Sequence, residues 1–192
     1  MNYNIPYKNI PFFSKFIIDY IYQDDKLKSF VNHFPILENF EKQIQEKKNH
    51  FINRDNLVKI LKIQNDNFSL TKSTKKNIDL LKLNNTFSVT TGHQLCLFTG
   101  PLYFIYKIIS TINLCEDLAE KYPSNNFVPV FWMASEDHDF KEVNHINLFG
   151  KQIKWTTKQT GAVGRMNLND FESVILELKS VLGSNKNASK LL

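Results

Sequence analysis

The stretch that most restricts the fold is residues 86–134. "TFSVTTG" (86–92) is short and rich in β-branched and aromatic residues, which suit a pleated, half-buried surface, so residues 86–91 read as a strand ended by Gly92. "GPLYFIYKIISTINLCEDLAEKY" (100–122) places Pro101 at a helix start and repeats Ile105, Ile108, Ile112, Cys115 and Ala119 along one face. "FVPVFWMA" (127–134) is a continuous apolar run of the kind that strands covered on both faces show, which makes Trp132 and Met133 strand core. Strand, helix of about six turns and buried strand form a right-handed βαβ unit, the start of a parallel, Rossmann-like sheet.

The chain before this unit has a different period. Phe12, Phe13, Phe16, Ile17, Tyr20 and Ile21 recur at helical spacing, as do Leu37, Phe40 and Ile44 and, after a break at residues 53–55, Leu57, Ile60 and Leu61. Another helix is expected from Thr71 through Ile78 and Leu81. Each carries one apolar stripe, too short for a coiled coil and suited to packing on a domain. After the unit, "INLFG" and "KQIKWTT" suggest a hairpin, and "DFESVILELKSVL" a last helix capped by Asp170. "GSNKNASKLL" trails off without a further strand, while a doubly wound sheet needs more than two. The expected division is a helical segment at 1–84, packed on the core, and the first part of a Rossmann-like domain at 85–192, the front portion of something larger.

Composition narrows the function classes. The net charge is +5, but Arg occurs only at Arg54 and Arg165. Interfaces that read bases lean on the planar guanidinium fork, which an ammonium lacks, so the charge reads as background lysine and nucleic acid is not the expected partner. Cys96 and Cys115 show no C-x-x-C or zinc spacing, which fits a reducing cytoplasm. The apolar N-terminal stretch is broken by Asp19 and too short to span a bilayer, so neither export nor a membrane span is expected.

Ligands of open parallel sheets gather beyond the carboxyl ends of the strands, and two stretches fall there. "TTGHQLCLFTGP" (90–101) offers Gly92 and Gly100 for close backbone approach, the hydroxyls of Thr91 and Thr99, and the free N–H groups of a helix start, the outline of an anion cradle. It matches neither G-x-x-x-x-G-K-[ST] nor G-x-G-x-x-G, and a plain loop with turn glycines and a proline helix starter accounts for it as well. Lys107 shares a face with Tyr103, Tyr106 and Ser110 near the helix start, where the dipole disfavours a cation unless an anion is near. A solvated lysine is the plain alternative.

The second stretch is "SEDHDF": Ser135, Glu136, Asp137, His138 and Asp139. It has the composition of an N-cap and acidic first turn, which needs no function. Three carboxylates and an imidazole within four residues also repel one another unless a cation, a proton or a basic ligand is bound. A general base or an acceptor for a substrate ammonium is the favoured use. His138 and His145 could join the carboxylates around a divalent metal, but no zinc spacing is matched and no metal ligand is assigned. Cys96, among Leu95, Leu97 and Phe98, reads as a small buried hydrophobe beside the loop, and Cys115 as core. Trp155 is assigned to neither core nor surface. "GAVGRM" puts Gly161, Gly164 and Arg165 in a loop that could close over a carboxylate or phosphate, with nothing to fix where it lies.

"TGHQLCLFTGPLYFIYKIISTINLCEDL" followed by "VPVFWMASEDHDFKEVNHINL" closely resembles the bacillithiol-biosynthesis cysteine-adding enzymes, and "FFSKFIIDYI" and "FINRDNLVKIL" resemble that family's opening helices. The resemblance implies a Rossmann-like core of the nucleotidyltransferase and class I synthetase group, a coiled-coil segment, a homodimer in the full-length family, and amide-bond joining of cysteine to glucosaminyl-malate. ATP is inferred from the ligase reading; a metal requirement is left open. By position, Gly92, His93, Gln94, Thr99, Gly100, Pro101 and Ser135 to Asp139 would border the active site, with Glu136, Asp137 and His138 managing protons and Lys107 and Asp139 binding. The family usually carries glutamine where His93 stands, so His93 is not made the base. The chain is shorter than the family and would lack its later strands and coiled coil. The alternative is a non-catalytic nucleotide- or sugar-phosphate-binding module.

Overall fold

Short polar side chains start the helices of the N-terminal part. A computed structural model describes residues 3–192 and divides the chain into two units, Met1–Asn85 and Thr86–Leu192. In the first unit Ser14, Asn53 and Thr71 each accept a hydrogen bond from the backbone N–H three residues on, opening α1 (Lys15–Ile21), α3 (Arg54–Gln64) and α4 (Lys72–Leu80); α2 (Phe40–Lys48) lies between the first two. The Ser14 cap delays α1, so Phe12 precedes the helix and stands in solvent. On α3 the buried residue is Val58, while Leu57 and Ile60, expected on the packed stripe, are exposed. The Arg54 guanidinium donates to the Leu81 carbonyl at 2.9 Å and ties the start of α3 to the end of α4.

In the second unit β1 (Thr86–His93) and β2 (Asn126–Met133) pair in parallel, Thr86 opposite Asn126 and His93 opposite Met133. α5 (Leu102–Lys121) is the crossover between them. The parallel pair, its helical crossover and the elements around it are an α/β arrangement of the Rossmann-like kind. β1 runs through Gly92 to His93, past the end the glycine suggested, because Gly92 still pairs with Trp132.

Two packing expectations are corrected. The face that α5 buries carries Thr111, Cys115 and Leu118, with Phe104 and Ile108 half-buried; Ile105 and Ile112, expected on it, are exposed. Phe104 meets Phe131 edge to face at 5.2 Å, which turns this side of the helix to the strands. Trp132 and Met133 are not core: each is 61% exposed. An unbroken apolar run reports burial on both faces in a wide sheet, but here two strands make up the sheet, and cover fades towards the carboxyl end of β2.

Past β2 come the one-turn helix α6 (Phe140–Val143) and an antiparallel hairpin, β3 (His145–Leu148) and β4 (Lys151–Lys154). Its two turn residues, Phe149 and Gly150, have φ of 51° and 78°, the left-handed pair of a type I′ turn. α7 (Glu172–Leu182) follows, and Lys151 pairs with its Glu177 at 2.9 Å. Asp170 does not cap α7. Phe171 occupies the cap position, held there by its ring against Phe98 and Trp155. The chain end adds no strand but forms α8 (Lys186–Leu191), opened by the Asn185 side chain, which accepts from the N–H groups of Asn187 and Ala188. Leu97, Ile153, Trp155, Val174 and Leu178 make the core of this part.

Phe149 is 84% exposed in a conformation that a bulky side chain disfavours. Phe149→Asn should raise stability by roughly 0.5–1 kcal/mol in urea denaturation. Burial pushes the Cys115 thiol up to about 11 from its ordinary 9.0. Its neutral form is favoured in the folded state, so the associated stability is complete below pH 9.0 and is lost as pH rises towards 11. Melting temperatures measured across this interval should fall more steeply for the unmodified chain than for Cys115→Ala.

Candidate functional site

Parallel pairing brings the ends of β1 and β2 side by side, and the ladder continues one step further, the Ala134 N–H donating to the His93 carbonyl at 3.1 Å. Of the site residues singled out from sequence, Gly92 and His93 close β1, Lys107 lies in the second turn of α5, and the others lie in the loops that leave the strand ends.

The loop after β1 is tightly constrained. Leu97 to Thr99 form a 3-10 turn, and Phe98, Thr99 and Gly100 have consecutive positive φ of 43°, 69° and 58°. For Phe and Thr such conformations cost about 1–3 kcal/mol each and persist only where the surroundings over-determine them. Here Leu97 is buried in the core, the Phe98 ring lies 5.8 Å from Phe171, and the Gly100 N–H donates to the Leu97 carbonyl at 2.8 Å. A Cβ on Gly100 would lie 2.5 Å from the Cys96 Cβ, and one on Gly92 would lie 2.8 Å from the Trp132 carbonyl oxygen. Both glycines therefore face the chain itself, and close packing accounts for them. Pro101 is the N-cap residue of α5.

His93 is held from two sides. Its Nδ1 lies 3.1 Å from the Gln94 carbonyl and 3.1 Å from the Cys96 Sγ, and its Nε2 lies 2.7 Å from the Tyr103 hydroxyl. A carbonyl can only accept, so Nδ1 carries the proton and Nε2 accepts from Tyr103. Lys107 extends its ammonium to the Gly92 carbonyl at 3.2 Å and sits 5.2 Å from the Tyr103 ring centre. Burial, then the negative charge of Glu142, pushes the Cys96 thiol up, with Lys107 opposing; burial and Glu142 raise the Tyr103 hydroxyl in the same order. Tyr103, His93 and Cys96 thus form a connected chain of side chains, with the Lys107 ammonium beside it.

The loop after β2 spends part of its acidic chemistry on its own shape. Asp137 Oδ1 accepts from the Asp139 N–H at 2.9 Å, and Asp139 caps α6 by accepting from the Glu142 N–H at 3.4 Å. The carbonyls of Ser135 and Asp137 accept from Gly164 and Val163 at 2.9 and 2.8 Å. The "GAVGRM" loop is thereby docked on the acidic turn, and a Cβ on Gly164 would lie 2.5 Å from that of Ser135. Glu136 and His138 are exposed. His145 bonds through Nδ1 to the Asn144 side chain at 3.1 Å, and among the described residues no group of three or more His, Cys, Asp or Glu side chains could hold a metal ion.

The carboxylate that reaches the first loop is Glu142, which accepts from Gln94 Nε2 at 2.9 Å. Sequence reasoning passed over it because a glutamate three residues after an aspartate reads as a helix first turn. Tyr103, four residues before Lys107, was legible as its neighbour but not as the partner of His93. A cavity of about 350 Å³ lies behind the loops, lined by Cys96, Phe98, Phe140, Trp155, Val163 and Met166 among others. Trp155 is 6% exposed, edge to face with Phe140 and Phe171 at 5.1 and 5.4 Å. Asn144 is buried, donating to the Trp155 carbonyl at 3.2 Å and accepting at its own carbonyl from the Trp155 N–H at 2.8 Å.

Gly164→Ala should cost about 1–3 kcal/mol in urea denaturation, since neither backbone can yield without breaking their mutual bond. Adding Ser135→Gly should recover part of that loss; a purely additive double variant would show that the two loops do not press on each other.

The family model for "Bacillithiol biosynthesis BshC, N-terminal Rossmann-like domain" matches residues 1–192. A Flavobacterium johnsoniae protein named "Putative cysteine ligase BshC" is 53% identical over 189 residues, 97% of this chain and 36% of its own length. The protein of the same name from Flavobacterium psychrophilum is 50% identical over 187 residues, 96% of this chain and 35% of that one. One from Bacillus cytotoxicus is 36% identical over 127 residues, 66% of this chain and 23% of that one. The chain thus spans about a third of the length of the two Flavobacterium relatives. Matched from end to end by the family model, with its parallel strand pair and crossover helix in place, the chain belongs to the BshC family of bacillithiol biosynthesis, in the region of its N-terminal Rossmann-like domain.

Proposed function

We propose that the chain supplies the strand-end loops of a ligase that joins cysteine to glucosaminyl-malate through an amide bond. The names of the relatives support the reaction class, and one observation carries the reading to residues. At the end of the parallel pair, Glu136 and His138 stand exposed on a turn in which the Asp137 and Asp139 carboxylates and the Ser135 and Asp137 carbonyls already accept backbone hydrogen bonds.

In this reading the amine of the sugar attacks the carbonyl carbon of activated cysteine, a C–N bond forms, and the acyl C–O bond to the activating group breaks, that oxygen leaving with the electron pair. The attacking amine must shed its proton. One of the pair Glu136 and His138 accepts it, while Asp137, tied to Asp139, fixes the turn that presents them. Activation of a carboxylate is the chemistry ATP supplies when bound. Gly92 and Gly100 offer no empty cradle, so Lys107 and the first N–H groups of α5 are the groups here suited to phosphate or carboxylate, with His93, Gln94, Thr99 and Pro101 on the rim. Among the described residues no helix is long and apolar enough to cross a membrane. A cytoplasmic setting with small-molecule partners, rather than nucleic acid or a membrane, and a homodimer of the complete protein belong to the same proposal.

The test is product formation by the complete protein from cysteine and glucosaminyl-malate, read by mass spectrometry with ATP supplied and withheld. Glu136→Gln with His138→Ala should lower the rate by about 10²-fold or more. An undiminished rate would sink the assignment. Nucleotide or sugar-phosphate binding by calorimetry without turnover would point to a non-catalytic binding module.

A further inference from the structure

We infer that Glu142 is a positioning residue: through Gln94 it holds the loop after β1 against the loop after β2, and it sets its charge beside the His93, Cys96 and Tyr103 cluster. The tie is the 2.9 Å bond from Gln94 Nε2 to Glu142 Oε2, made across 48 residues of chain. It fixes the amide. The carboxylate can only accept, so the NH₂ side must face it, leaving Gln94 Oε1 sealed from solvent without a partner. A buried carbonyl oxygen left unmet is costly, and a bond to an ionised acceptor is among the interactions strong enough to offset it.

The tie also works in the other direction. α6 is one turn of four residues and has little stability of its own; Asp139 caps it, and Gln94 anchors its Glu142 from outside. The main chain of Gln94 is part of the cluster, since its carbonyl accepts from His93 Nδ1. A shift of Gln94 therefore alters which atom His93 bonds. The charged and titratable groups that face Cys96 are His93, Lys107, Tyr103 and Glu142. Glu142 acts on the thiol in the same sense as burial, against Lys107. The tie belongs to the architecture of the site whatever reaction it serves, and it can be tested without turnover.

Glu142→Gln keeps an acceptor of the same length and removes the charge. Cys96 alkylation by iodoacetamide, followed by mass spectrometry from pH 7 to 10, should then be several-fold faster near pH 8, with its profile moved to lower pH and the melting temperature little changed. Gln94→Ala removes the tether and leaves the charge. Amide hydrogen exchange at residues 140–143 should quicken by about tenfold. An unmoved Cys96 profile in Glu142→Gln, or unaltered exchange at 140–143 in Gln94→Ala, overturns the inference. If Glu142→Gln does not fold, the exchange measurement decides alone.

Discussion

Two parallel strands cannot be joined by a tight turn, and that geometric fact organises residues 86–192. A crossover of a dozen residues or more is needed, and α5 provides it with 20. At about 1.5 Å per residue it extends roughly 30 Å, enough to carry the chain back along an eight-residue strand of roughly 26 Å. Both strands then finish at the same end. The loops at 94–101 and 134–139 are neighbours because of this, although some 40 residues separate them in sequence.

Around that end the chain exchanges local strain for long-range order. Three successive left-handed residues, two of them not glycine, are unfavourable alone. They are tolerated because Leu97 and Phe98 on their near side are fixed in the core that β4 and α7 build around Trp155. The acidic turn behaves in the same way: its carbonyls are filled by residues 163–164 and two of its carboxylates by its own amides. What is left outward is a small set of side chains on a rigid base, the arrangement that positions reacting groups most reproducibly.

The parts of this that sequence discloses are those governed by period and short-range chemistry. The strand at 86, the helix after Pro101 and the apolar run at 127 are each determined within a few residues, and so is the hairpin around Phe149 and Gly150. Burial is another matter. Trp132 looks like core because its neighbours are apolar, and is exposed because, among the described residues, two strands make up its sheet. Trp155 sits between polar residues in sequence and lies at the centre of the core. The helix stripe erred by a single residue in places because isoleucines occupy both sides of α5, so period alone does not select a face. The site shows the same division. Its loops were legible from their position after strands, whereas the bond between Gln94 and Glu142 has no local signature, and the docking of 163–164 on 135–137 depends on a turn of chain that composition does not record.

The contrast between the two tryptophans has an optical consequence. Trp155 is enclosed by aromatic rings with its indole N–H out of solvent, and Trp132 stands beside Gly92 at the end of the strand pair. One chromophore should therefore emit as from an apolar interior and the other as from water. Acrylamide should quench the second far more than the first, which would make the quenchable, longer-wavelength part of the emission an intrinsic reporter of whatever occupies the space beyond the strands, and the remainder a reporter of whether the core is intact.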